Sequence, residues 1–186
     1  MGALSQRLLR AWGWTLRYVP PPSPKSVVIF YPHTSNWDFP LGLLARGATG
    51  LRVSWVGKHT LFRWPVGGLM RRLGGIPIDR GARAGLVDAL TAEFARRDTF
   101  HVAIAPEGTR SRSENWRTGF YQLARAAQVP VGLGFFDYPR REIGIEHWLT
   151  MSGDTVADLA RIAACYEGRQ GLNPAQTTPI RFREPA

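Results

Sequence analysis

From residue 25 onward the chain alternates between two periodicities. Short runs rich in β-branched and aromatic residues, each bounded by Gly or Pro, are separated by longer runs with apolar residues at helical spacing. The first kind predicts strands over Ser26–Tyr31, Leu51–Val56, Ile76–Asp79, Phe100–Ala105, Val129–Phe136 and Glu142–Leu149. The second predicts helices over Phe39–Ala48, Ala84–Arg97, Asn115–Ala127 and Thr155–Cys165; the clearest places Leu86, Leu90 and Phe94 on one face. Strands separated by helices predict an α/β fold with a mixed, largely parallel sheet flanked by helices. A chain of 186 residues is enough for one such domain with a full core. No element is assigned from Gly168 to Ala186.

The segment before this alternation reads differently. Leu4, Leu8, Trp12, Leu16 and Val19 fall at helical spacing, with Arg7, Arg10, Arg17, Trp14 and Tyr18 around them and no acid within the segment. That composition suits an amphipathic helix lying in a membrane interface. It suits equally a helix packed on the domain. Pro20-Pro21-Pro22-Ser23-Pro24 ends the helix. The expected division is therefore 1–24 as a membrane-surface helix with a Pro-rich connector, and 25–186 as the main domain. No run approaches the ~18 apolar residues of a span, and no uninterrupted apolar centre marks a secretory signal.

A formal charge of +10 directs the surface toward anionic partners such as lipid headgroups, phosphorylated ligands or nucleic acid. The cations are 22 Arg and only 2 Lys, Lys25 and Lys58. Arg grips phosphate in a bidentate fork, although a general bias toward Arg explains the count as well. Cys165 is the only cysteine, which excludes an intramolecular disulfide and a cysteine-rich metal site. Set among Ala163, Ala164 and Ile162, it reads as a packed thiol rather than a nucleophile.

In α/β sheets, reactive residues gather beyond the C-terminal ends of strands. Two segments occupy such points: Tyr31-Pro32-His33-Thr34-Ser35-Asn36-Trp37-Asp38, and Ala105-Pro106-Glu107-Gly108-Thr109-Arg110-Ser111. Moving an acyl group onto an alcohol needs a base at the hydroxyl. A His oriented by a carboxylate on its other ring nitrogen meets that need near neutral pH. A turn entering a helix brings residues spaced like His33 and Asp38 together. The alternative for Asp38 is structural, since Ser35-x-x-Asp38 reads as a capping box and Asp38 also stands just ahead of Pro40. The second segment offers backbone N–H groups beside Thr109, Arg110 and Ser111, a set able to hold phosphate; a plain turn with a solvated Arg fits it as well. Between the two, residues 57–80 interleave Lys58, Arg63, Arg71, Arg72 and Arg80 with Phe62, Trp64, Leu69 and Met70. Such mixing suits a phospholipid surface, or a single-stranded nucleic-acid groove.

Taken in order, His33-x4-Asp38, this Gly/Phe/Pro/Gly/Arg block and Pro106-Glu107-Gly108-Thr109-Arg110-Ser111 resemble the motifs of the glycerolipid acyltransferases, which include the glycerol-3-phosphate and 1-acylglycerol-3-phosphate enzymes. The likeness runs from about residue 27 to 135. It implies His33 as general base and Asp38 as its partner. It further implies that Arg80, Glu107, Gly108, Thr109 and Arg110 bind an acceptor's glycerol phosphate. The expected activity is transfer of a fatty acyl group from acyl-CoA or acyl carrier protein to 1-acylglycerol-3-phosphate at the cytoplasmic face of a membrane. Neither a metal nor a further cofactor is expected, and no nucleic-acid partner. The rival readings are another lyso-lipid acceptor, such as a lyso-aminolipid, and a non-catalytic module that binds anionic lipid or nucleic acid through charge alone.

Overall fold

A strand buried on both faces reads as a near-continuous apolar run. Lys25–Tyr31 carries such a run from Val27 to Tyr31, with Val27, Val28 and Ile29 inaccessible to solvent. In the computed structural model, which describes residues 2–78 and 83–183, it sits in the middle of the sheet. In chain order the elements are α1 Ala3–Ala11, β1 Thr15–Tyr18, β2 Lys25–Tyr31, α2 Asp38–Thr49, β3 Val53–Lys58, α3 Gly67–Arg72, β4 Gly75–Ile78, α4 Arg83–Arg96, β5 Phe100–Ile104, α5 Gly119–Ala126, β6 Val131–Asp137, β7 Glu142–Leu149 and α6 Thr155–Cys165. The seven strands form one sheet in the order β1-β7-β6-β2-β5-β3-β4. Every neighbouring pair is parallel except β6 and β7, which form a hairpin.

The sheet is mixed and largely parallel, with helices on both faces, as the sequence predicts. On one face α4, α5 and α6 bury Leu90, Phe94, Phe120, Leu123 and Ile162 against Val27, Ile29, Val102, Val131 and Leu133. On the other, α1 and α2 bury Leu9, Leu41, Ala45 and Ala48 against Phe136 and Ile143. β6 alternates small and large residues for a reason visible in the packing. A Cβ on Gly132 would meet the Trp148 ring at 2.5 Å, and one on Gly134 the Phe30 ring at 2.7 Å. Gly50, at φ +73, ends α2 in the left-handed conformation that a side chain disfavours. Asp154 caps α6, its Oδ1 accepting from the N–H groups of Val156 and Ala157 at 3.0 Å each.

The N-terminal helix is present but shorter than its apolar stripe. It stops at Ala11, and Thr15–Tyr18 becomes an edge strand paired with β7. Leu16 and Val19 continue the helical spacing by coincidence, because strand pairing with Glu142–Ile145 overrides it. Arg17 belongs to this pairing too, donating to Glu142 at 2.7 and 2.9 Å. Residues before the Pro-rich connector thus supply a helix and a strand to the same domain. The helix expected over Asn115–Ala127 begins only at Gly119, since Trp116 is held by a bridge to Phe182. Among the described residues no helix is long and apolar enough to cross a membrane.

Candidate active site

Three parallel neighbours, β6, β2 and β5, end at the same side of the sheet. Their C-terminal loops therefore lie together, and the candidate chemistry is built from all three. The loop after β2 folds into α2 and brings His33 and Asp38 face to face. His33 Nδ1 lies 2.9 Å from Asp38 Oδ2. The ring's N–H direction does not meet the oxygen squarely, so this is a close pair rather than an aligned hydrogen bond. Bonds of this kind tighten as substrate binds.

Asp38 is the more deeply set partner, only 1% exposed, and both its oxygens meet donors within the protein. Oδ2 also accepts the backbone N–H of Ser35 at 2.9 Å, while Ser35 Oγ accepts that of Trp37 at 3.1 Å. Asp38 thus closes the turn that starts α2 and stands within reach of His33, while the N-cap position itself falls on Trp37, whose side chain makes no capping bond. Oδ1 accepts the hydroxyl of Tyr138 at 2.7 Å. Burial, and then the neighbouring Asp38 charge, push the Tyr138 phenol far above its usual range, so it stays a donor.

The loop after β5 supports the first from behind. Glu107 is buried, and its Oε1 accepts the backbone N–H of His33 at 2.5 Å. Its Oε2 accepts that of Thr178 at 3.2 Å. Burial raises the Glu107 carboxyl above its usual range, against the opposing pull of these N–H groups. The carboxylate is thus taken up by backbone donors, and Glu107 does not line the cavity. Gly108 turns the chain at φ +68, and a Cβ there would meet Arg117 Nε at 2.2 Å. Beyond it Thr109 and Arg110 are exposed and face the cavity. Arg80 lies outside the described residues.

The stretch after Gly168, unassigned in the sequence, braces the site. Asn173 bonds Thr34 through its backbone N–H at 3.1 Å and its side chain at 2.9 Å. With its amide nitrogen turned toward them, Gln176 donates to the carbonyls of Thr34 at 3.0 Å and Arg110 at 2.8 Å. The N-terminal segment braces it from the opposite side. Trp12 meets Trp37 edge-on with centroids 6.4 Å apart, and Trp14 meets Tyr138 at 5.0 Å.

His33 and Asp38 open onto a cavity of about 1150 Å³. Phe39, Leu43, Leu61, Val66, Met70 and Leu86 make much of its wall apolar, while Lys58, Arg110 and Arg117 place cations on it. Arg117 is a residue that motif reading does not single out. It is found through Gly108, whose missing side chain leaves room for the guanidinium.

This geometry, a His–carboxylate pair on a largely apolar cavity, accompanies a match of residues 16–132 to the acyltransferase family, more than half of the chain. The chain belongs to the acyltransferase family. Among solved structures it is similar to the 1-acyl-sn-glycerophosphate (LPA) acyltransferase PlsC from Thermotoga maritima. The two superpose with a TM-score of 0.54 at 19% identity, over 90% of this chain and 78% of that one, so the likeness is one of fold. No curated protein sequence matches the chain closely enough to count as a relative. The fold expectation holds, and acyl transfer is the reaction class of this acyltransferase.

Proposed function

We propose that this acyltransferase moves a fatty acyl group from acyl-CoA or acyl carrier protein to the free hydroxyl of 1-acylglycerol-3-phosphate. The observation that carries the reading is the placement of His33 and Asp38, 2.9 Å apart, on a cavity that is both largely apolar and basic. An acceptor with an acyl tail and a phosphate needs both qualities. Asp38 holds the imidazole so that Nε2 faces the acceptor. Nε2 takes the hydroxyl proton as the oxygen attacks the thioester carbonyl carbon, forming the new C–O bond and moving the carbonyl electron pair onto oxygen. When that pair returns, the C–S bond breaks, and the proton on His33 passes to the departing thiolate. Arg110 and Arg80 are assigned to the acceptor phosphate, with Thr109 and the Gly108 backbone beside them.

The reaction proposed here belongs at the surface of a membrane, on its cytoplasmic face. Support comes from Leu4 and Leu8, exposed on α1, from Trp12 just after it beside exposed Trp37, and from Leu61, Trp64, Val66 and Leu69 around α3. The second group sits among Lys58, Arg63, Arg71 and Arg72, a pairing of apolar and cationic groups suited to anionic lipid.

The test is thiol release from acyl-CoA and from acyl carrier protein, with a panel of lyso-lipids as acceptors. Preferred turnover of 1-acylglycerol-3-phosphate is expected. Equal turnover of acceptors without phosphate would replace it with a lyso-aminolipid or similar acceptor. Release with none of them would leave only the charge-based binding module.

A further inference from the structure

We propose that Tyr138 is a positioning residue for the His33–Asp38 pair, a third member supplied from the turn of the β6–β7 hairpin. The proposal rests on the acyl-transfer reading above.

The argument starts from the lone pairs of Asp38. Its side chain has no solvent exposure, so each oxygen must find its donors within the protein. Oδ2 takes the Ser35 N–H and faces His33 Nδ1. Those contacts fix one oxygen only, and a carboxylate held at one oxygen swings about its Cβ–Cγ bond. The Tyr138 hydroxyl fixes the other, donating to Oδ1 at 2.7 Å. With both oxygens held, the carboxylate plane is set, and Oδ2 is presented to the ring rather than to the backbone alone.

Tyr138 is itself held in place. Its backbone N–H donates to the Gln170 carbonyl at 3.0 Å, and its ring meets buried Trp14 edge-on. It follows directly on β6, which pairs with β2 up to Tyr31↔Phe135, so strand adjacency sets the distance between hairpin and catalytic loop. The hydroxyl remains protonated because burial and the Asp38 charge both oppose its ionisation. It can only give a hydrogen bond to the carboxylate; it does not compete with His33 as a base.

Tyr138→Phe removes the hydroxyl and keeps the ring against Trp14. Turnover should fall about ten- to a hundredfold, the cost of displacing a reacting group by up to about 1 Å, with KM for donor and acceptor unchanged. In the Asp38→Asn background the same change should cost almost nothing further, because its route of action is already gone. A second readout does not need turnover. Ring ¹⁵N spectra of His33 should show the neutral ring protonated at Nδ1 in the wild type and redistributed toward Nε2–H in Tyr138→Phe. Trp14→Phe, which loosens the ring contact that holds Tyr138 but leaves the hydroxyl, should lower kcat by less than Tyr138→Phe does. Wild-type kcat with an unchanged tautomer in Tyr138→Phe would overturn the proposal, as would an undiminished loss in the Asp38→Asn background. A wild-type protein that turns over no acceptor would sink the acyl-transfer reading instead, while the tautomer measurement still decides the role of Tyr138.

Discussion

The backbone N–H of His33 donates to Glu107 Oε1 at 2.5 Å, so the loop after β2 hangs from the loop after β5. A buried carboxyl with a raised pKa holds its proton more tightly in the folded chain than in the unfolded one. Between the usual value of 4.5 and the raised one, the folded state therefore binds more protons. The contribution of Glu107 is fully present below the unfolded value and is lost as pH rises through the folded one. Urea denaturation of wild type and Glu107→Gln at a series of pH values reads this directly. The wild type should lose stability relative to the variant as pH climbs from 4.5. A constant difference between the two would show that Glu107 titrates alike in both states.

His33 and Asp38, both assigned to turnover in the proposed mechanism, should separate in stability. His33 keeps part of its ring in solvent, whereas the Asp38 side chain is wholly buried and holds three groups. His33→Ala should lower turnover by about 10² to 10⁴ with little change in melting temperature. Asp38→Asn should lower turnover less, yet cost more stability, because an amide nitrogen then faces the donors of Ser35 or Tyr138. Steady-state rates and melting curves on the same preparations check both halves. Wild-type turnover by His33→Ala would end the general-base mechanism.

How far the sequence reaches follows from how local each signal is. The central strands β2, β5 and β6 are legible from the apolar runs 27–31, 102–104 and 131–136, which burial on both faces favours. His33 and Asp38 are legible because one turn carries both. β1 is not: its four residues alternate exposed and half-buried, and its leucine falls on a helical stripe by chance. Tyr138 is invisible for a different reason. It stands 100 positions from Asp38, and only the adjacency of β6 and β2 brings them together. The same holds for Thr178 and Asn173, whose bonds to Glu107 and Thr34 depend on the chain returning from α6. Glu107 is legible as a motif residue, but its inward orientation, which makes it a support for His33, is a property of the fold.

The phosphate assignment predicts a split between the two substrates. Arg110 is exposed on the cavity and free to reach a ligand, with its backbone carbonyl held by Gln176. Arg110→Gln removes one charge-assisted contact and should raise KM for a phosphorylated acceptor about ten- to a hundredfold, leaving that for the acyl donor in place. Arg80→Gln should act in the same direction. Acceptor KM values that do not move in either variant would detach both residues from the phosphate.

The N-terminal helix makes the membrane reading separable from packing, because its two faces do different things. Leu9 is almost wholly buried against α2, while Leu4 is 70% exposed and Leu8 and Trp12 share its side. Leu9→Ala should therefore cost about 2–5 kcal/mol of stability, as other buried leucines do. Replacing Leu4, Leu8 and Trp12 together by Ser should leave melting nearly unchanged and sharply reduce co-sedimentation with anionic vesicles. Arg7 and Arg10 are exposed on the same helix, and at about 1 kcal/mol each near an anionic surface they add about thirtyfold to affinity. High salt should remove that part, beyond a Debye length of roughly 10 Å at 0.1 M, and leave the apolar part in place. Arg17 should contribute little, since its guanidinium is engaged by Glu142. Deleting residues 1–19 would be a poor substitute for these variants, for it strips β1 from β7 and Trp14 from Tyr138. Vesicle binding by the triple variant equal to that of the wild type would remove α1 from the membrane surface, and the exposed group around Trp64 would then have to carry the attachment alone.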